Sequence, residues 1–186
     1  MKKCVLLAVM IVLLTGCSND GDAVDRAMAL RSRLMAGNGS SFHAKITADY
    51  GDKVCVFQVQ CQSDRQGSVQ FEVLEPEPIG GISGKIDAKG GQLQFDDLAL
   101  AFDLLADEQV SPVSAPWLML KALQGGYVKS GGMEGELYRV TIDDSYDSDA
   151  MQVDVWLGAD GLPVRAEILY RNRRILSLVV SNYKIL

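Results

Sequence analysis

Histidine is almost missing from this 186-residue chain, and His43 stands alone. A histidine-based triad or a zinc site would have to be built around that single imidazole, and the alternation of its segment puts it on a polar face. Phosphate-cradling loops between a strand and a helix are missing as well, because Gly80-Gly81 and Gly90-Gly91 read as turns. Without such groups the sequence predicts a protein that is not an enzyme and needs no cofactor and no metal. Basic residues are also short: 18 Lys and Arg face 24 Asp and Glu, for a net charge of −6. Such a surface repels phosphate backbones and excludes nucleic acid as a general partner. There is no repeat of 20 to 50 residues, which excludes a solenoid.

What is present begins at the N-terminus. Lys2 and Lys3 precede an apolar run from Cys4 to Leu14, which reaches only about 16 Å as a helix against a bilayer core of roughly 30 Å. The tetrad Leu14-Thr15-Gly16-Cys17 that follows reads as a lipobox, where a bacterial lipoprotein is diacylated on cysteine and cut just before it. The sequence therefore predicts a signal peptide over residues 1–16, a lipidated tether over 17–22 and one domain over 23–186. Two acyl chains such as palmitate on Cys17 would hold the chain stably at a membrane, at about 0.8 kcal/mol per buried methylene. The expected location is the cell envelope, outside the cytoplasmic membrane. Losing Lys2 and Lys3 with the leader lowers the net charge by two, from −6 to −8.

Of the four cysteines, Cys4 leaves with the leader and Cys17 takes the lipid. Cys55 and Cys61 fall in one predicted strand, so they stand roughly 20 Å apart at about 3.3 Å per residue. A disulfide needs alpha carbons within about 7 Å. The expectation is two reduced, buried thiols.

The periodicity starts helical. Asp20 to Ala36 carries Val24, Ala27, Met28, Leu34 and Met35 on one stripe, with Gly37 as a stop. From Phe42 the period falls to two, with Ala44, Ile46, Ala48 and Tyr50 alternating against His43, Lys45, Thr47 and Asp49. A Gly51-Asp52 turn then sets Ala48 opposite Cys55, Ile46 opposite Phe57, Ala44 opposite Val59 and Phe42 opposite Cys61, all on one face. Val69, Phe71 and Val73 continue that face until Pro76 and Pro78 end the strand. A second meander follows, in which a Gly90-Gly91 turn would pair Ala88 with Leu93 and Ile86 with Phe95. Leu98, Leu100 and Phe102 suggest a further strand, and residues 103–115 read as irregular or partly helical. The final third alternates again, through Tyr138 to Ile142, Met151 to Val155, Leu162 to Ile168 and Leu176 to Val180. The fold class is thus α+β: a single strongly curved antiparallel sheet, an unclosed barrel of about 9 to 11 strands, with helices packed into its hollow.

Pro116 to Gln124 reads as a short helix in which Trp117, Leu118, Met119, Leu120, Ala122 and Leu123 leave no broad face for water. It is either a plug that fills the hollow or a lid over it. Trp156 alternates with Gln152 and Asp154, so it should point away from the interior, where a loop would cover it or a partner would meet it. Asp143, Asp147, Asp149 and Asp154 have a spacing faintly like a calcium loop, but Ser148 stands where glycine is needed and Asp154 where glutamate is needed. A solvated loop is the expectation there. Arg171, Arg173 and Arg174 form a basic tip on an acidic protein, either a soluble hairpin end or a contact for anionic headgroups or a partner.

The lipobox, the single N-terminal helix and a third strand ending Phe71-Glu72-Val73-Leu74-Glu75-Pro76 together resemble the bacterial lipoprotein carrier superfamily typified by LolA and LolB. Gly161-Leu162-Pro163-Val164 and the closing Asn182-Tyr183 strand sit where those proteins have them, and the resemblance spans Asp20 to Leu186. The superfamily also holds envelope-stress regulators of the MucB and RseB kind and mycobacterial lipid-carrying lipoproteins. The resemblance implies an apolar cavity for acyl chains under a helical lid. This chain differs from the soluble carrier in having its own lipid-attachment cysteine, and from its early sheet in lacking an alignable arginine. Ile46, Phe57, Val59, Phe71, Trp117, Met119 and Leu120 are the candidate lining residues for a lipid or acyl-chain ligand. The alternative is an envelope interaction or stress-sensing module with a filled core, whose partner is another envelope protein.

Overall fold

The computed structural model describes residues 20–95, 98–102, 105–106, 109–143 and 151–186. The leader, Cys17, Asp147 and Asp149 lie outside the described residues. The chain enters through helix α1 (Asp20–Ala36), so residues 20–22 of the expected tether are helical. Ala23, Ala27, Leu30 and Leu34 form its buried seam, whereas Met28 and Met35, expected on the stripe, are exposed. Each methionine follows a seam residue by one position, about 100° around the helix. The narrow surface that α1 meets, chiefly one edge strand, takes only the seam.

The first hairpin joins β1 (Gly39–Asp49) to β2 (Val54–Asp64), with Tyr50 N–H donating to the Lys53 carbonyl at 3.0 Å. Its register is the expected one: Ala48 faces Cys55, Ile46 faces Phe57, Ala44 faces Val59 and Phe42 faces Cys61. β3 (Val69–Glu75) follows, and Val69, Phe71 and Val73 are buried. A tight 3-10 turn, Glu77–Ile79, then leads into β4 (Ser83–Asp87), β5 (Gly90–Phe95) and β6 (Leu98–Phe102).

The β4–β5 turn differs from the expectation. The loop is Ala88-Lys89 rather than Gly90-Gly91, and Asp87 pairs with Gly90, Ile86 with Gly91 and Gly84 with Leu93. Asp87 Oδ1 accepts the Lys89 N–H at 2.7 Å and closes the turn locally. The two glycines serve packing instead. An added Cβ on Gly84 would meet the Phe71 ring at 2.7 Å, and one on Gly91 would meet the Phe102 ring at 2.1 Å. Each glycine is the ladder partner of the phenylalanine that lies over it. Because the shift is by an even number of residues, the inward set stays inward.

The segment expected to be irregular or partly helical contains a small separate ladder, β7 (Leu105–Ala106) with β8 (Gln109–Val110), and a 3-10 turn at Pro112–Ser114. Helix α2 (Ala115–Gly125) follows. The last strands are β9 (Tyr127–Glu134), β10 (Leu137–Asp143), β11 (Gln152–Leu157), β12 (Pro163–Tyr170) and β13 (Arg173–Ile185). β9 is not legible in the periodicity, since Tyr127-Val128-Lys129-Ser130-Gly131-Gly132 does not alternate. Its glycines have a use: a Cβ on Gly131 would sit 3.0 Å from Ala23 Cβ, so the missing side chain lets α1 close on the strand.

Eleven strands form one antiparallel sheet in the order β6-β5-β4-β3-β2-β1-β13-β12-β11-β10-β9. The pairing of β1 with β13 joins the two meanders, while β6 and β9 remain as edges, so the curved sheet does not close. Its inner face holds one core that includes Ile46, Val59, Phe71, Val140, Val155, Ile168 and Leu178, and α1 and α2 are packed into it.

Candidate functional site

The site is built on the inner face, where ladder register carries one row of side chains from the core to the edge. Phe42 pairs with Cys61, Cys61 with Phe71, Phe71 with Gly84, Gly84 with Leu93 and Leu93 with Leu100. Phe42, Cys61 and Phe71 are buried, Leu93 is half-buried, and Leu100 is 65% exposed. Leu98 and Phe95, which pair with each other on the same face, are 75% and 47% exposed. The apolar lining therefore runs unbroken out of the core and into solvent along β5 and β6.

All seven lining candidates, Ile46, Phe57, Val59, Phe71, Trp117, Met119 and Leu120, lie in one cluster of buried residues. Helix α2 supplies the last three and sits between α1 and the inner face of β10 to β13, which is why every side is apolar except at Lys121 and Gln124. Polar bonds fix it at both ends. Trp117 Nε1–H donates to the Gly67 carbonyl at 3.0 Å in the β2–β3 turn. At the other end Arg31 of α1 donates to the carbonyls of Leu123 at 2.7 Å, Ala122 at 3.2 Å and Gly126 at 2.7 Å. A guanidinium suits that end, where the last carbonyls of a helix lack partners and carry partial negative charge.

The alternation picked out these buried residues but not the exposed apolar ones beside them. Phe95, Leu98 and Leu100 read as ordinary strand residues. The available signal was that Leu98-Ala99-Leu100-Ala101-Phe102 has no polar residue on either face.

Cys55 and Cys61 are both free, as expected, but only Cys61 is buried. β3 pairs with β2 only along residues 58–63, so among the described residues no strand flanks Cys55 on that side, and Val54 and Val56 are exposed with it. Burial pushes the Cys61 thiol well above the ordinary range. Beside this end of β2, the Tyr50 hydroxyl donates to the Val110 carbonyl at 2.6 Å. Burial, reinforced by Cys55, raises the Tyr50 pKa to about 12. His43 lies half-buried on the outer face of β1.

The outer face is polar in two different ways. Over β2 to β6 it forms an open trough of about 390 Å³ lined by Gln60, Gln62, Gln70, Glu72, Gln92 and Gln94 among others. Over β10 to β13 it carries an ion-pair network around Trp156. That residue points outward as expected, yet it is only 2% exposed, covered by side chains of neighbouring strands and not by a loop or a partner. Arg165 and Arg139 cover its faces at 4.3 and 5.2 Å, and its Nε1–H donates to Glu134 at 3.1 Å. Arg139 pairs with the buried Asp154 at 2.5 Å, and Lys129 pairs with Asp143 at 3.3 Å, so two of the four aspartates of the faint calcium spacing already have cationic partners.

The three tip arginines are placed apart. Arg171 and Asn172 take positive φ values of 50° and 61° in the turn, with the Arg171 guanidinium 5.1 Å from the Tyr170 ring centre. Arg173 lies 3.9 Å from Asp49, and Arg174 is bonded to Glu167 at 2.9 Å. Glu167 is also bonded to Arg165. Burial alone would raise the Glu167 carboxyl, but the two arginines outweigh it and hold it below the ordinary carboxylate range.

No family model matches the chain. No curated protein matches it either. Solved structures do. An uncharacterized conserved protein from Thermus thermophilus matches at 14% identity and a TM-score of 0.46, covering 89% of this chain and 86% of that one. A LolA superfamily protein from Nitrosomonas europaea matches at 7% identity and a TM-score of 0.46, covering 86% and 93%. The lipoprotein LppX of Mycobacterium tuberculosis matches at 11% identity and a TM-score of 0.42, covering 87% and 93%.

Proposed function

We propose that this chain is an acylated envelope lipoprotein that carries a lipid, or another apolar ligand with acyl chains, on the inner face of its open barrel. The observation that carries the reading is the inner apolar row that passes from the closed core to exposed Phe95, Leu98 and Leu100. An acyl chain laid along this row would remove that surface from water at about 25 cal/mol per Å² and needs no covalent chemistry. Deeper entry, toward Phe71, Trp117 and Met119, requires α2 to move against its bonds to Gly67 and Arg31.

In this reading residues 1–16 are removed and Cys17 carries the diacylglyceryl group. Because α1 begins at Asp20, the tether shortens to residues 17–19. Arg171, Arg173 and Arg174 would meet anionic headgroups or an envelope partner at the far end of the β12–β13 hairpin.

Native mass spectrometry and lipid extraction of the purified full chain test the proposal, with a co-purifying acyl lipid as the expected result. Phe95→Ser should weaken uptake of a fluorescent fatty acid by roughly tenfold or more, as loss of a buried aromatic contact of about 1.5–3 kcal/mol requires. A chain that holds no lipid and takes up no fatty acid overturns the carrier. Labelled palmitate should enter the wild type and not Cys17→Ser, and equal labelling would remove the anchor.

One observation favours the second reading, an interaction or stress-sensing module: Trp117 and Met119 are already buried among the strands they would have to leave. A lipid-free chain that still binds an envelope protein would select it.

A further inference from the structure

The two edges of the sheet are finished differently. β9 is covered by α1 and carries Lys129 and Glu134, the devices by which proteins keep an edge from pairing with another chain. Among the described residues β6 has none of them. Its five residues, Leu98-Ala99-Leu100-Ala101-Phe102, include no charge and no proline. The first four are exposed, and among the described residues no strand pairs with its outer side.

The order of those residues is self-complementary. An antiparallel partner centred on Leu100 sets Leu98 opposite Phe102 of the second copy, Leu100 opposite Leu100, and Ala99 opposite Ala101. Large side chains then meet large ones on the inner face and small ones meet small ones on the outer face. Centring on a residue keeps both inner faces on one side, whereas a one-residue slip would set the apolar lining of one copy against the outer face of the other. A strand that reads nearly alike in both directions, with alternate positions matched in size, fits an isologous two-fold contact.

We propose that β6 pairs antiparallel with β6 of a second copy of this chain about a two-fold axis at Leu100, joining the two sheets edge to edge. The Phe95, Leu98 and Leu100 patches of the two copies become one apolar gutter that spans the junction. The contact is small, a five-residue ladder with its side chains, so the dimer is weak and concentration-dependent. It does not depend on a bound ligand.

Cross-linking in the full chain on a Cys55→Ser background reads the register. In the dimer, Leu100→Cys meets its own mate at about 4.5–5.5 Å between alpha carbons, within disulfide reach. Leu98→Cys stands about 13 Å along the strand from its mate, at roughly 3.3 Å per residue. Oxidation should give a covalent dimer for Leu100→Cys at several times the yield for Leu98→Cys. Sedimentation velocity should show a dimer fraction that rises with concentration in the wild type and disappears in Leu100→Lys, which places like charges directly opposite. Leu100 is largely exposed, so the lysine leaves the fold intact, and an unchanged circular dichroism spectrum checks this. Equal cross-linking at both positions, a wild type that stays monomeric at its highest soluble concentration, or a dimer that survives Leu100→Lys each overturns the proposal.

Discussion

Arg31 Nε donates to the main-chain oxygen of Leu123 across 2.7 Å, tying α1 to the last turn of α2. The same guanidinium also reaches Ala122 and Gly126. One side chain thus donates to three carbonyls at the end of this helix. Burial lowers the Arg31 pKa, but an arginine so far above neutrality stays charged.

Arg31→Met keeps the aliphatic stem and removes every donor. It should destabilise the protein by about 1.5–3 kcal/mol, the range for hydrogen bonds made by a charged group. Hydrogen exchange should quicken in α2 well before it quickens in β1 or β13. Uniform acceleration across the sheet would mean that Arg31 supports the whole fold and not this helix.

The other end of α2 depends on Trp117. Trp117→Phe loses the bond to Gly67 and should cost about 1 kcal/mol, while Trp117→Ala also leaves a cavity and should cost about 3–5 kcal/mol. Urea unfolding separates the two. Equal costs would show that the indole N–H, and not ring volume, dominates.

On the outer face, Asp154 is 1% exposed and depends on Arg139. Arg139→Met should destabilise by about 2–3 kcal/mol, less than the 3–5 kcal/mol of a fully buried pair because Arg139 is itself partly in solvent and Gln152 still reaches Asp154 at 3.3 Å. Arg139→Met combined with Asp154→Asn should recover part of that loss, since it removes the stranded charge. Denaturation midpoints of the three variants test this, and no recovery in the double variant would refute it.

Glu167 sets an acid dependence whose sign is defined. Its folded pKa lies below the unfolded value, so its contribution is fully present above the ordinary carboxylate pKa of about 4.3 and fades as pH falls through the depressed folded value. Glu167→Gln should therefore flatten the loss of stability on acidification below about pH 4.5. Urea midpoints measured from neutral to acid pH give the comparison, and parallel profiles would contradict it.

The thiols should react in two classes. Cys55 is exposed and should modify rapidly in the native state, whereas Cys61, buried and with a raised pKa, should wait for unfolding. Cys55→Ser should abolish the fast phase in a chain that also lacks Cys4 and Cys17. A fast phase that persists would place Cys61 within reach of solvent.

Much of the fold was legible because strand alternation and turn chemistry are local. The β1–β2 register followed from Gly51-Asp52 and the Phe42 to Tyr50 alternation together, and the alternating segments of the final third are the strands that carry the Val140–Val155–Ala166–Leu178 row. The misreadings have a common cause. Gly90-Gly91 looked like a turn, but these glycines belong to the strand, where Phe102 needs the space; β9 went unread because its glycines, which make room for α1, break the alternation. A glycine's reason for being there lies in a neighbour distant in sequence.

Residue order by itself determined which segments alternate, which faces are apolar and that one short helix has no side for water, because each depends on spacing along the chain. Only the tertiary structure decided which apolar residues are covered. Ile46 and Met119 are sealed by elements from the other half of the molecule, while Leu98 and Leu100, with the same chemistry and the same alternation, face solvent because the curved sheet ends at their strand. Burial depends on what arrives from elsewhere, and periodicity carries no record of that.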